Sequence, residues 1–302
     1  MSNNDITGIA ARRVWDSRGR PTVEVEATLS GGATGRAIAP AGASRGANEA
    51  IDLRDGGEDL GGFGVEKALD NIADEIAPLL EGMDAEDQEA VDLAMIECDD
   101  TDDKSRLGGN AIVAVSMAVL GAMAASRKLP LWQHLAGDAQ VRLPMPEIQI
   151  FGGGAHAGRR VDIQDFMAVP VGAETFDEAL EMVAEVYLAA GQLMQDAGKL
   201  AGVADEGGWW PVFETNEEAL DALVRAIEEA DLEPGADVAI SLDIAASEFG
   251  KDGQYRLGLE KRELDGDGMI ELLAGWLDRY PIVSIEDPLG EDDAENMKRF
   301  TE

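Results

Sequence analysis

Only one cysteine, Cys98, occurs in 302 residues. That excludes an internal disulfide and any metal site built from several thiolates. Lysine is scarce as well, supplying seven of the 24 basic residues. No apolar run reaches the ~20 residues of a membrane-spanning helix. The longest, Ala111 to Ala125, is interrupted by Ser116 and reads as a buried helix. Met1 to Asp16 mixes charged and apolar residues without the apolar core of a secretory leader. Together these absences predict a cytoplasmic protein with no membrane partner.

What is present is acid. Asp and Glu total 61 against 24 Lys and Arg, for a net charge of −37, in a chain with a globular 45 % hydrophobic and 28 % charged content. Such a surface repels phosphate backbones and anionic lipid, so nucleic acid is excluded as an expected partner too. A carboxylate-covered, lysine-poor surface suits high salt, where the Debye length shrinks to ~3 Å near 1 M; a functional acidic surface is the other reading. An anionic substrate can bind such a chain only where metal ions or arginines invert the local field.

The chain is long enough for two domains. Thr22 to Leu29 alternates apolar and polar, Ser30-Gly31-Gly32 turns, and Thr34 to Ala39 can pair back as a hairpin. Helical patterns follow at Val65 to Leu80, Asp84 to Ile96 and Asn110 to Ala125. Strands then helices make an α+β domain over 1–138. From 141 to 302 the pattern changes. Strand-like runs at Glu147–Phe151, Ile163–Val169, Val203–Glu206, Val238–Ile244 and Ile282–Ile285 alternate with helices at Thr175–Ala197, Glu217–Ala230, Met269–Arg279 and Asp292–Phe300. This alternation predicts a barrel or an open parallel sheet.

Each strand finishes in polar residues: Gln164-Asp165, Asp205-Glu206, Asp243 and Glu286-Asp287. In (β/α) barrels the C-terminal strand ends carry the chemistry. Carboxylates converging there repel one another, and a hard, oxygen-liganded ion such as Mg²⁺ resolves the repulsion. The bland alternative makes each acid a helix cap. It explains any one of them better than it explains four in the same topological position.

At these residues the chain resembles the enolase family, from Ala11 to Glu302. The resemblance is carried by Asp16-Ser17-Arg18-Gly19-Arg20-Pro21-Thr22-Val23-Glu24, Gly42-Ala43-Ser44, Asp162-Ile163-Gln164-Asp165-Phe166-Met167, Asp205-Glu206-Gly207-Gly208, Leu242 to Phe249 and Ser284-Ile285-Glu286-Asp287-Pro288. It implies a capping domain followed by a TIM-like barrel, and a glycolytic lyase that interconverts 2-phospho-D-glycerate with phosphoenolpyruvate and water. Two Mg²⁺ per site, a small phosphorylated carboxylate substrate and a homodimer come with it. By the same resemblance Asp243 and Glu286 are metal ligands, and Ser44 is the lid serine on the second ion. Glu206 is the acid that helps the hydroxyl leave, and His156 a loop histidine near the substrate phosphate. Gln164, Asp165, His156 and Glu286 are substrate contacts, with Asp165 and His156 joining Glu206 among the catalytic residues and Asp165 standing where the family has glutamate. A proton removed beside a carboxylate builds a second negative charge, which two divalent ions offset, while a protonated acid must sit on the poor leaving group.

The family's third metal carboxylate, its lysine base and further substrate-holding residues are expected beyond Glu302. Taken alone, the chain is therefore expected to hold about five of the eight barrel strands and to lack the base, as a truncated reading frame would. Other departures sit in the loops. Gly152 replaces an asparagine, Ala41 a serine and Arg45 a threonine, and Arg159-Arg160 and Trp209-Trp210 are unusual. They fit either drift in mobile loops or an altered anionic hydroxy-acid substrate. A metal-binding pseudoenzyme is the non-enzymatic alternative. His134, without an acid or Cys at ligand spacing, reads as structural.

Overall fold

A computed structural model of the chain describes residues 3–39, 41–42, 45–158 and 161–302. The expected lid serine Ser44 and the pair Arg159 and Arg160 therefore lie outside the described residues. The chain divides into two units, Met1–Val141 and Arg142–Glu302.

The first unit opens with a strand that the alternation pattern does not reveal, β1 (Ile6–Trp15). Only Ile6 of it is buried, and Arg12 and Arg13 face outward, so no period stands out. Strand β2 (Pro21–Leu29) lies between β1 and β3 (Thr34–Ala39), all antiparallel. Val23, Val25, Ala27 and Leu29 are buried on one face of β2. On the other face Glu24 forms ion pairs with Arg12 and Arg36.

Helices α1 (Glu66–Asn71) and α2 (Ala77–Leu80) are joined by a π-helical turn, Ile72–Ile76, and bury Ile72, Ile76 and Leu80. Next come α3 (Gln88–Asp99), α4 (Gly109–Ser126) and α5 (Leu131–Ala136). Helix α4 is the one described helix long and apolar enough to cross a membrane. Here it packs on the sheet, with Ala111, Ala114, Val115, Ala118 and Ala122 fully buried. Gly35 on β3 permits the approach, since a Cβ there would fall 2.0 Å from Ala122 N and 2.2 Å from Ala118 O. His134 accepts a hydrogen bond at Nδ1 from Arg127 Nη1 at 3.3 Å.

The second unit contains β4 (Ile148–Gly152), β5 (Asp165–Val169), α6 (Phe176–Asp196), β6 (Leu200–Val203), β7 (Trp209–Pro211), α7 (Asn216–Glu229) and β8 (Ala239–Asp243). The short strands β9 (Gly250–Lys251), β10 (Gln254–Leu257) and β11 (Arg262–Asp265) form a small antiparallel sheet. Helix α8 (Gly266–Arg279), β12 (Ile282–Glu286) and α9 (Ala294–Thr301) complete it. Helices α6 and α7 start alike. Thr175 and Thr215 accept hydrogen bonds from the N–H groups of Glu178 and Glu218, whose carboxylates accept from Glu174 N and Glu214 N.

The main sheet runs in the order β12-β8-β5-β4-β7-β6 and, among the described residues, does not close into a barrel. It is mixed: β12 and β8 are parallel, β4 and β7 are parallel, and the β8–β5, β5–β4 and β7–β6 pairs are antiparallel. This corrects one expectation. Asp165 opens β5 rather than ending a strand, and it reaches the polar edge because β5 runs against β8. Phe151, Phe166, Ile240 and Leu242 pack on Val186, Leu223, Ile227, Leu273 and Trp276 from the helices. Each such side chain contributes about 1.5–3 kcal/mol relative to exposure. The outermost strands, β12 and β6, leave Val283 58 % and Val203 56 % exposed.

Candidate active site

Register puts the carboxylates together. Asp165 is the partner of Asp243 across β5 and β8, and Glu286 is the partner of Asp243 across β8 and β12. Directly opposed residues project from the same face of a sheet, so three acids share one rung on neighbouring strands. Two of the three strands then end in left-handed backbone, at Ala245 (φ 48°) and Asp287 (φ 43°). Such conformations cost about 1–2 kcal/mol in a residue with a Cβ and cluster at functional sites.

Asp243 accepts hydrogen bonds from Gln164 Nε2 at 2.9 Å and from Ala245 N at 2.9 Å. Burial raises its pKa to about 6, with the charges of Asp165 and Glu286 pushing the same way. Asp165 is 6 % exposed, and its pKa is also raised to about 6. Burial is the main cause there; a hydrogen bond from Gln149 and the nearness of His156 oppose it, and Glu206 and Glu286 add to it. Like charges on one rung, with few cations among them, are the condition a divalent ion relieves.

His156 sits on a short 3₁₀ turn, Gly154–Ala157, that folds back on its own loop through Gly153 N to Gln164 O (2.7 Å) and Gly154 N to Val161 O (2.8 Å). The ring is buried. Its Nε2 lies 3.8 Å from Asp165 Oδ2 and 3.7 Å from Glu206 Oε2. His156, Asp165 and Glu206 thus each bring a ligand-capable atom within 4.8 Å of the others. Glu206 lies in the turn between β6 and β7 and keeps its side chain 51 % exposed. That turn is braced from behind: Tyr187 Oη donates to Gly207 O at 2.9 Å, Trp209 Nε1 donates to Tyr187 O at 2.8 Å, and the two rings stack at 4.5 Å.

Of the site residues expected from the sequence, the structure gathers His156, Asp165 and Glu206 in one group and Gln164, Asp243 and Glu286 along the adjoining rung. Ser44 is outside the described residues. Ala41 accepts a hydrogen bond from Arg18, and Arg45 is exposed in the first unit. No lysine enters the hydrogen-bonded group among the described residues; Lys199 is bonded to Glu218 instead. Sequence reasoning missed Gln149, whose side chain reaches Asp165, Glu206 and Gly208. Its only signal was a long amide set between Ile148 and Ile150.

Comparison with known proteins agrees with this architecture. The family model for the enolase N-terminal domain matches residues 6–135, and that for the enolase C-terminal TIM barrel domain matches residues 140–302. The curated relative "Enolase 1" of Desulfitobacterium hafniense (strain Y51) is 49 % identical over 305 residues, covering 100 % of this chain and 70 % of its own length. With both domain models matched in order and half the positions shared with that relative, this chain belongs to the enolase family.

Proposed function

We propose that the protein is a Mg²⁺-dependent lyase that interconverts 2-phospho-D-glycerate and phosphoenolpyruvate. The observation carrying this reading is the rung of Asp165, Asp243 and Glu286, with two of its acids pushed up to about 6. The donors are all oxygen, as a hard divalent ion requires. Asp243 and Glu286 would hold the ion, with Ser44 serving a second one. Bound there, Mg²⁺ offsets the extra negative charge that develops on a carboxylate when its neighbouring carbon loses a proton.

The chain's own groups do the rest. Glu206, half in solvent beside His156, would be the acid on the departing hydroxyl. His156, buried beside both Glu206 and Asp165, orients them toward the substrate and supplies a ring N–H for an anionic group. Gln164 fixes the Asp243 carboxylate in the sheet edge. The lysine base and third carboxylate that the family resemblance expects form part of this proposal, as does a homodimer.

Two measurements test it. Calorimetric titration of the chain with Mg²⁺ should show binding that Asp243→Asn abolishes. A fusion that supplies the part of Enolase 1 outside the matched 70 % should form phosphoenolpyruvate from 2-phosphoglycerate only when Mg²⁺ is present. Ordered metal without turnover in that fusion would instead favour a metal-binding pseudoenzyme.

A further inference from the structure

We infer that Gln149 is a positioning residue that locks Asp165 and Glu206 to each other, an inference resting on the functional reading above. Its amide nitrogen donates to Asp165 Oδ1 and, at 3.5 Å, to Glu206 Oε2, while its carbonyl oxygen accepts from Gly208 N at 2.9 Å. One side chain on β4 therefore ties the first residue of β5 to the turn that carries the leaving-group acid. The surroundings are shaped to admit it. A Cβ at Gly208 would fall 2.4 Å from Gln149 Oε1, and one at Gly152 would fall 2.5 Å from Ala204 Cβ and 3.1 Å from Gln149 Oε1. Gly152, which lacks the amide side chain expected from the family pattern, thus leaves room that the Gln149 amide occupies.

Chain length gives the pairing its logic. Asp165 is one methylene shorter than the glutamate the family pattern expects, and the glutamine reaches across the difference. The Glu206 side chain, which forms no other hydrogen bond among the described residues, takes its placement from this amide, from His156 Nε2 at 3.7 Å and from the bracing of its turn by Tyr187.

The test uses Gln149→Leu, Gln149→Asn and the length-exchanged double variant Gln149→Asn with Asp165→Glu. In the unfused chain, hydrogen exchange at Gly208 and across 204–208 should quicken at least ~10-fold in Gln149→Leu, the loss of one half-buried hydrogen bond, with the melting transition otherwise retained. In the fusion, Gln149→Leu should lower kcat by ~10²-fold, the cost of ~1 Å misplacement, with KM little changed. Gln149→Asn should fall between, and Asp165→Glu should restore it. Wild-type exchange at Gly208 in Gln149→Leu would overturn the inference, and so would wild-type kcat in an active fusion. If the unsubstituted fusion makes no phosphoenolpyruvate, the functional reading fails, and the exchange measurement alone decides whether Gln149 holds the turn.

Discussion

Asp165 and Asp243 are register partners on antiparallel strands, so two carboxylates that belong to different parts of the chain stand side by side on one face of the sheet. Burial raises the pKa of both, and the charge of Asp165 raises that of Asp243 further. The sheet holds them in this strained proximity because Phe166 and Leu242, the next pair along the same two strands, are fully buried.

A pH dependence follows from that pair. Both groups titrate at about 6 in the folded chain, above the ~3.9 of an unfolded aspartate. The raised values favour the protonated forms, so their stabilisation is complete below about pH 4 and is lost as pH rises through about 6. Each group contributes on the order of 2–3 kcal/mol at most, and the two are less than additive because the charge of Asp165 is itself one cause of the Asp243 shift. Without metal, the melting temperature should fall across this window, and Asp243→Asn should flatten the fall. A metal-free melting temperature level from pH 4 to pH 7 would contradict the assignment.

Magnesium should act against that trend. At pH 8, where both aspartates are ionised, added Mg²⁺ should raise the melting temperature in proportion to the logarithm of its concentration above Kd. Asp243→Asn should be at least as stable as the unsubstituted chain without metal and indifferent to it. Thermal melts with and without Mg²⁺ check both statements.

In the first unit, Gly35→Ala should be severe. The added methyl would lie 2.0 Å from a backbone nitrogen of α4, and backbone cannot step aside as a side chain can. A loss of about 3 kcal/mol or more is expected, read as a lowered denaturant midpoint, whereas Gly8→Ala, with nothing within 4 Å of its Cβ, should cost far less.

Gly191 on α6 provides a remote handle on the site. A Cβ there would meet the Trp209 ring at 2.6 Å, displacing the ring that stacks on Tyr187 and braces the Glu206 turn. Gly191→Ala should therefore lower kcat of the fusion while leaving Mg²⁺ binding at Asp243 and Glu286 within about twofold, a margin well under 1 kcal/mol. Equal losses in both would show a general unfolding instead.

Much of this fold was legible in the residue pattern, and the exceptions have physical causes. The β2–β3 hairpin and helices α4, α6 and α7 declare themselves because one face of each is continuously buried. Strands β1, β7 and β9 to β11 are short or half-exposed, and a half-exposed ribbon need not alternate. The reversal of β5 could have been read from its connection. The twelve residues from Gly153 to Gln164 separate it from β4 and hold, among the described residues, no helix longer than the turn at Gly154–Ala157, whereas a parallel crossover is usually built on an α-helix. The acids of the site were visible by type and order, but their pairing was not, since register belongs to the folded sheet. Gln149 escaped because a polar residue in a half-buried strand ordinarily faces solvent.

The outermost strands of the second unit's sheet have a consequence for a sample of the described residues in solution. Among the described residues no strand pairs with the outer side of β12 or β6, which carry exposed valines, and an uncovered edge is a template on which another copy can zip. Mutual repulsion at a net charge of −37 holds copies apart in dilute buffer. Brine relaxes that repulsion by screening, so the salt that suits so acidic a surface should also promote rim-to-rim stacking, and crowded, salty samples should grow turbid first.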